Sequence, residues 1–260
     1  MDVDTALDVL RRESGLLAVA AGPVLDRPVS RYPDWTVADL VVHTGQIHRW
    51  VTEIMRTRAT ERLPRPDVAP YRTQAALTDW FMSGAADLAL ELQSKDPATR
   101  VWTFSSDQTV GFWRRRMALE TTIHRWDAQS ATAARPSIAP DIAADGVTEA
   151  LHVYLKARLQ GRAVGGAGQR ILLRATDTGQ QWSVTIHGDG IELGADATDG
   201  TPSAPDGASS APDATIAGTA EDLWLYLMGR RAVDALTVDG DPTAVQVCTD
   251  AIDLVPAAQR

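Results

Sequence analysis

The chain has 260 residues, 44% of them hydrophobic and 23% charged, with 34 acids against 25 Lys and Arg and a formal net charge of −9. That balance excludes the basic face that nucleic-acid phosphates or an anionic membrane surface would demand. A single cysteine, Cys248, excludes an intrachain disulfide and a Cys-based zinc knuckle.

Helical periodicity dominates the first 160 residues. Apolar positions Val3, Ala6, Leu7, Leu10, Leu17 and Ala20 predict a helix over 3–22. Pro23, Pro28 and Pro33 then mark a loop. Thr36 with Asp39 three residues on has the form of a helix start, and Val37, Leu40, Val41, Ile47, Val51, Ile54 and Met55 form the stripe of a second helix. Prolines at 64, 66 and 70 separate it from a third helix over about 73–95. A loop carrying Trp102 and Phe104 leads to a fourth helix over about 112–134, and Pro136 and Pro140 precede a fifth over about 141–160.

After Gly161 the pattern changes. Gly165, Gly166 and Gly168 form a flexible joint, followed by strand-like runs at 170–175, 181–187 and 190–193. Residues 195–213 are low-complexity and acidic, and read as a loop. A strand at 215–217, a helix at 220–229, a strand at 235–239 and a helix after Pro242 complete the chain. The expected class is therefore α+β: a bundle of four or five helices over 1–160, then a small α/β domain over 161–260. The charge follows the same division. Residues 175–229 hold nine acids and no Lys or Arg, whereas residues 1–174 are close to neutral.

The fourth helix carries the most informative residues. Glu120 and His124 are four apart, so they share a helix face and can bind one divalent metal together. Asp127, on the same face, can orient His124 through its other ring nitrogen. A third ligand must come from another helix, and the second supplies His43 and His48, both bordering its apolar stripe; spacing does not choose between them. Three protein ligands leave a position open, as at a catalytic zinc. The arginines form a second set. Arg116, one turn before Glu120, pairs with that acid or holds a substrate carboxylate. Arg230 and Arg231 follow the 220–229 helix, where they complement its C-terminus or clamp an anionic substrate. The tryptophans at 35, 50, 80, 102, 113 and 126 read as core.

The run 112–128, FWRRRMALETTIHRWDA, resembles the fourth-helix signature of the mycothiol-dependent maleylpyruvate isomerase family, among the DinB-like bundles. Residues 35–45, WTVADLVVHTG, resemble its second-helix motif. IAGTAEDL at 216–223, Gly229-Arg230-Arg231 and VDGD at 238–241 are similar to its small C-terminal domain, which resembles sterol-carrier proteins. The resemblance implies a zinc ion, or another divalent metal, on His43, Glu120 and His124, so it prefers His43 to His48. It also implies mycothiol as thiol cosubstrate and a C-terminal arginine, Arg230 or Arg231, facing the site.

The expected activity is that of a metal-dependent isomerase or thiol S-transferase, with the thiolate activated on the metal and added to an electrophilic small molecule, anionic ones included. A hydrolase or lyase using metal-bound water and a non-catalytic binding module are the alternatives. No nucleic acid or membrane partner is expected, and the chain is expected as a monomer or homodimer. With acids in the N-terminal run MDVDTALDVL and no apolar stretch of about 18 residues, it is expected in the cytoplasm.

Overall fold

Helix α1 (Val3–Ala21) begins where the Asp2 carboxylate accepts the backbone N–H groups of Asp4 and Thr5. The computed structural model describes residues 1–66, 74–132, 136–194 and 211–254, so most of the acidic 195–213 loop lies outside the described residues. The described chain divides into two compact units, one over Met1–Ser137 and one from Ile138 onward.

In the first unit a two-stranded antiparallel ribbon, β1 (Pro28–Val29) and β2 (Tyr32–Thr36), stands where the prolines had suggested only a loop. Proline is tolerated there because each strand has a free edge. Helix α2 (Val37–Thr57) opens on the expected capping box: Thr36 Oγ1 accepts the Asp39 N–H, and the Asp39 carboxylate accepts the Thr36 N–H. It closes at Arg58, in the left-handed conformation at φ 49°. Helices α3 (Gln74–Gln93) and α4 (Val110–Ser130) complete the bundle, with α1 against α3 and α4, and α2 against α3.

Helix α4 is buried almost all round, although polar and charged side chains occur on every face. Such burial is tolerable where most polar groups have a partner; on α4 the buried Trp126 Nε1 and Ser130 Oγ have none among the described residues. Arg114 donates to the Leu92 and Lys95 carbonyls at the end of α3, and Arg125 pairs with Glu13 of α1 at 2.7 Å. Thr121 and Thr122 bond back to carbonyls four residues earlier. Gly45 lets α2 and α3 approach, since a Cβ there would lie 2.3 Å from the Trp80 ring.

The second unit starts earlier than the expected boundary at residue 161. Helix α5 (Pro140–Glu149), a π-helical turn at Ala150–Leu155 and α6 (Lys156–Leu159) form one continuous helical segment. The expectation placed this segment in the bundle, but it belongs to the second unit. Its anchor is local: a Cβ on Gly146 would meet the Trp224 ring at 2.3 Å, and the Ile138 N–H donates to the Glu221 carboxylate. Periodicity showed a helix and could not show which core its apolar face enters.

Strands β3 (Gln169–Ala175), β4 (Gln181–His187), β5 (Gly190–Leu193), β6 (Ala214–Gly218) and β7 (Thr237–Gly240) form a sheet of order β5-β4-β3-β6-β7. Only β3 and β6 run parallel, with Ile171 opposite Ala214 and Leu173 opposite Ile216. Ile171, Leu173, Trp182, Val184 and Ile186 are buried at alternate positions. Helices α7 (Ala220–Leu227) and α8 (Pro242–Asp253) pack on β3 and β6. Gly229, at φ 68°, ends the turn after α7. Among the described residues no helix is long and apolar enough to cross a membrane.

Candidate metal centre

Residues 116, 120, 124 and 127 follow one another at four, four and three positions, which lines them up on one face of α4. All four are buried in the bundle. His43 arrives from α2, and donor atoms of His43, Glu120 and His124 all lie within 4.8 Å of one another. His124 Nε2 is 3.2 Å and His43 Nε2 is 3.7 Å from the same oxygen, Glu120 Oε1. The two imidazole rings meet edge to face, 5.4 Å apart at 86°.

These separations fit a metal. Two ligand atoms each ~2.1 Å from a tetrahedral ion lie ~3.4 Å apart, close to both distances observed. The donor set is also prepared chemically. Glu120 Oε2 pairs with Arg116, which leaves Oε1 turned to the histidines. His124 Nδ1 donates to Asp127 at 3.1 Å, which directs the Nε2 lone pair toward Glu120 and His43. Two nitrogens and one carboxylate oxygen form a set typical of catalytic zinc and of other divalent metals.

Electrostatics sort the three ligands. Burial acts to raise the Glu120 pKa, but the Arg116 guanidinium and His124 hold it well below the usual carboxylate range. Burial lowers the His43 pKa and outweighs its contact with Glu120, so His43 stays neutral with its lone pair available. Burial also acts to lower His124, but Glu120 and Asp127 facing it raise its pKa. Without a metal His124 attracts a proton; with one, the Asp127 carboxylate on Nδ1–H would make it a stronger ligand.

The β1–β2 ribbon supplies an aromatic wall. Trp35 lies 4.8 Å from the His43 ring, and Tyr32 stacks on Trp35 at 4.6 Å and lies 6.2 Å from His124. His48 is elsewhere. Five residues on a helix turn through ~500°, which places it ~140° around α2 from His43. It is fully buried beside Phe81 and bonds Thr121 Oγ1 at 2.9 Å.

Residues 7–129 match the family model described as the mycothiol maleylpyruvate isomerase N-terminal domain, and residues 141–246 match the MDMPI C-terminal domain. The chain belongs to the mycothiol-dependent maleylpyruvate isomerase family. Its fold is similar to the crystal structure of the mycothiol-dependent maleylpyruvate isomerase, at 14% identity and a TM-score of 0.60, covering 92% of this chain and 93% of that one. A histidine-to-alanine mutant of that enzyme gives the same TM-score and coverage at 15% identity. At such identity the likeness is one of fold. A search of curated proteins gives no match.

The structure brings His43 to Glu120 and His124 and holds His48 apart. Asp127 stands where the spacing predicts, against His124. Arg116 pairs with Glu120. Arg231, in the second unit, pairs with Asp222 at 2.5 Å, and Arg230 donates to the Met228 carbonyl. Tyr32 and Trp35 escaped sequence reading: Trp35 read as core, and nothing in the pattern marked a strand before α2 that turns aromatic rings onto a histidine.

Proposed function

We propose that this protein is a metal-dependent, mycothiol-using isomerase or S-transferase acting on an electrophilic small molecule, with zinc or another divalent ion held by His43, Glu120 and His124. The observation that carries the reading is the convergence of three buried donors on one point, with a carboxylate oriented by Arg116 and an imidazole oriented by Asp127. A divalent ion in such a site lowers the pKa of a bound thiol or water and so supplies a nucleophile at neutral pH. The chain's own residues prepare for that. Arg116 keeps Glu120 ionised, burial keeps His43 neutral, and Asp127 fixes the His124 ring. Trp35 and Tyr32 shield one side of the site from water, which strengthens its electrostatics. The family resemblance adds Arg230 or Arg231 as the clamp on an anionic substrate.

Elemental analysis of the purified protein and of its His43→Ala and His48→Ala variants tests the metal set. About one divalent ion per chain is expected in the wild type and in His48→Ala, and none in His43→Ala. Turnover of maleylpyruvate and related electrophiles with and without mycothiol tests the chemistry. Equal rates in the two conditions would exclude the thiol role and favour metal-bound water.

A further inference from the structure

The two imidazoles of the cluster are held in different ways. His124 donates its Nδ1–H to Asp127. His43 turns Nε2 to Glu120, and its Nδ1 forms no hydrogen bond among the described residues. A metal-bound histidine ordinarily has its second nitrogen tied to a carboxylate, a carbonyl or water, which fixes the ring. Without that tie a histidine ring turns easily about χ2, whose energy profile is broad. His43 has aromatic packing instead. Trp35 lies against it at 4.8 Å and 53°, and His124 meets it edge to face.

An irregular strand places Trp35 there. In a regular strand residues three apart face opposite sides, yet Tyr32 and Trp35 are both buried and their rings stack at 4.6 Å. The register of the ribbon explains this. Val29 is opposite Tyr32 and Pro28 is opposite Thr36, so one step along β1 answers to four along β2. Extra residues of this kind re-aim side chains and recur beside active sites. The ribbon is also fixed to α2. The Val37 and Ala38 N–H groups, two of the donors that a helix start leaves unpaired, go to the Arg27 and Leu25 carbonyls at 2.9 Å. Trp35 therefore has a set position before α2, with Tyr32 stacked on it and 6.2 Å from His124.

We propose that Trp35 is a positioning residue for the metal site: its ring, stacked on Tyr32, holds the His43 imidazole with Nε2 toward Glu120 and His124, in place of a hydrogen bond to Nδ1. The inference rests on the metal-site reading above and adds a residue that acts through one of its ligands. An aromatic face fixes the plane of a ring without bringing a charge to it. His43 is thus held without the carboxylate that makes His124 more basic, which leaves the site two imidazoles of unequal donor strength. A leucine in place of Trp35 fills part of the same space but offers no flat face to the ring.

Cobalt(II) binding to the full-length protein, read by chelator competition and by visible absorption, tests this without turnover. Trp35→Leu is expected to raise the cobalt Kd at least about tenfold and to change the absorption bands, which follow coordination geometry. Trp35→Phe keeps a flat ring and is expected to recover most of the affinity and the wild-type bands. Trp50→Leu removes an equally buried tryptophan, one that packs on Trp102 and Trp113, and is expected to bind cobalt as wild type does. Wild-type affinity and bands in Trp35→Leu, Trp35→Phe no better than Trp35→Leu, or an equal loss in Trp50→Leu would each overturn the assignment. If Trp35→Leu does not fold, Tyr32→Leu takes its place: weaker binding with altered bands is expected, and wild-type values overturn the assignment as well. Failure of the metal set shows separately, as wild type that binds no cobalt or His43→Ala that binds it like wild type, and removes the inference with it.

Discussion

Glu120→Gln separates two views of the cluster. Metal ligands crowded together often repel one another when the metal is removed, and replacing one then stabilises the apoprotein. Here the opposite is expected. Glu120 and Arg116 are both buried, with side chains 7% and 4% exposed, and they form an ion pair inside the bundle. Removing one partner of a buried pair costs about 3–5 kcal/mol because the other charge is left uncompensated. Glutamine retains an oxygen that can accept from Arg116, so the loss falls toward about 2–4 kcal/mol. For a unit of this size that lowers Tm by roughly 5–15 °C. The assay is differential scanning calorimetry in chelator at neutral pH, with His43→Gln as a comparison that leaves the pair intact. The sign of the pH dependence follows as well. The folded pKa of Glu120 is depressed, so its stabilisation is fully present above its ordinary value near 4.5 and disappears as pH falls through the folded value. A metal-free Glu120→Gln protein as stable as wild type, or more so, would refute the claim that Arg116 compensates Glu120.

Three further outcomes follow from the same bundle. His48 is neutral: the Thr121 hydroxyl donates to Met117, so it accepts from His48 Nε2–H, while the buried His48 Nδ1 has no partner among the described residues. Burial pushes the His48 pKa down to about 3 from 6.5, so the unfolded chain binds the extra proton first and stability falls as pH drops below 6.5. The slope approaches about 1.4 kcal/mol per pH unit and the fall amounts to about 1.6 kcal/mol between pH 6.5 and 5; in urea titrations the fall should be smaller by that amount in His48→Gln than in wild type. Asp127→Asn removes the carboxylate that holds His124 Nδ1–H and is expected to weaken metal binding about 10- to 100-fold, read by competition with a chelator. Gly45→Ala drives a methyl group into the Trp80 ring and is expected to cost about 1–3 kcal/mol. Because Gly45 lies two residues from His43, a loss of bound metal should accompany that fall in stability.

Much of the local structure was legible in the residues. The Thr36–Asp39 capping box marks the start of α2, alternation marks β3 and β4, and the 120/124/127 spacing marks a polar stripe on α4, because these patterns depend only on helix and strand periods. The same periods left His43 and His48 equivalent as neighbours of one apolar stripe. Only packing against α4 distinguished them, by turning His43 to Glu120 and His48 to Thr121. Packing also moved α5 into the second unit, where Gly146 receives Trp224, and paired β3 in parallel with β6 from across the acidic loop. The Tyr32–Trp35 wall arises from the chain reversal before α2, and no periodicity records where a reversing chain returns. The sequence by itself determined the helices and strands, the donor types and the stripe on α4, since these are properties of one segment at a time. The choice of third ligand, the compensation of each buried charge and the surroundings of the cluster depend on which segments meet, and only the tertiary structure decided them.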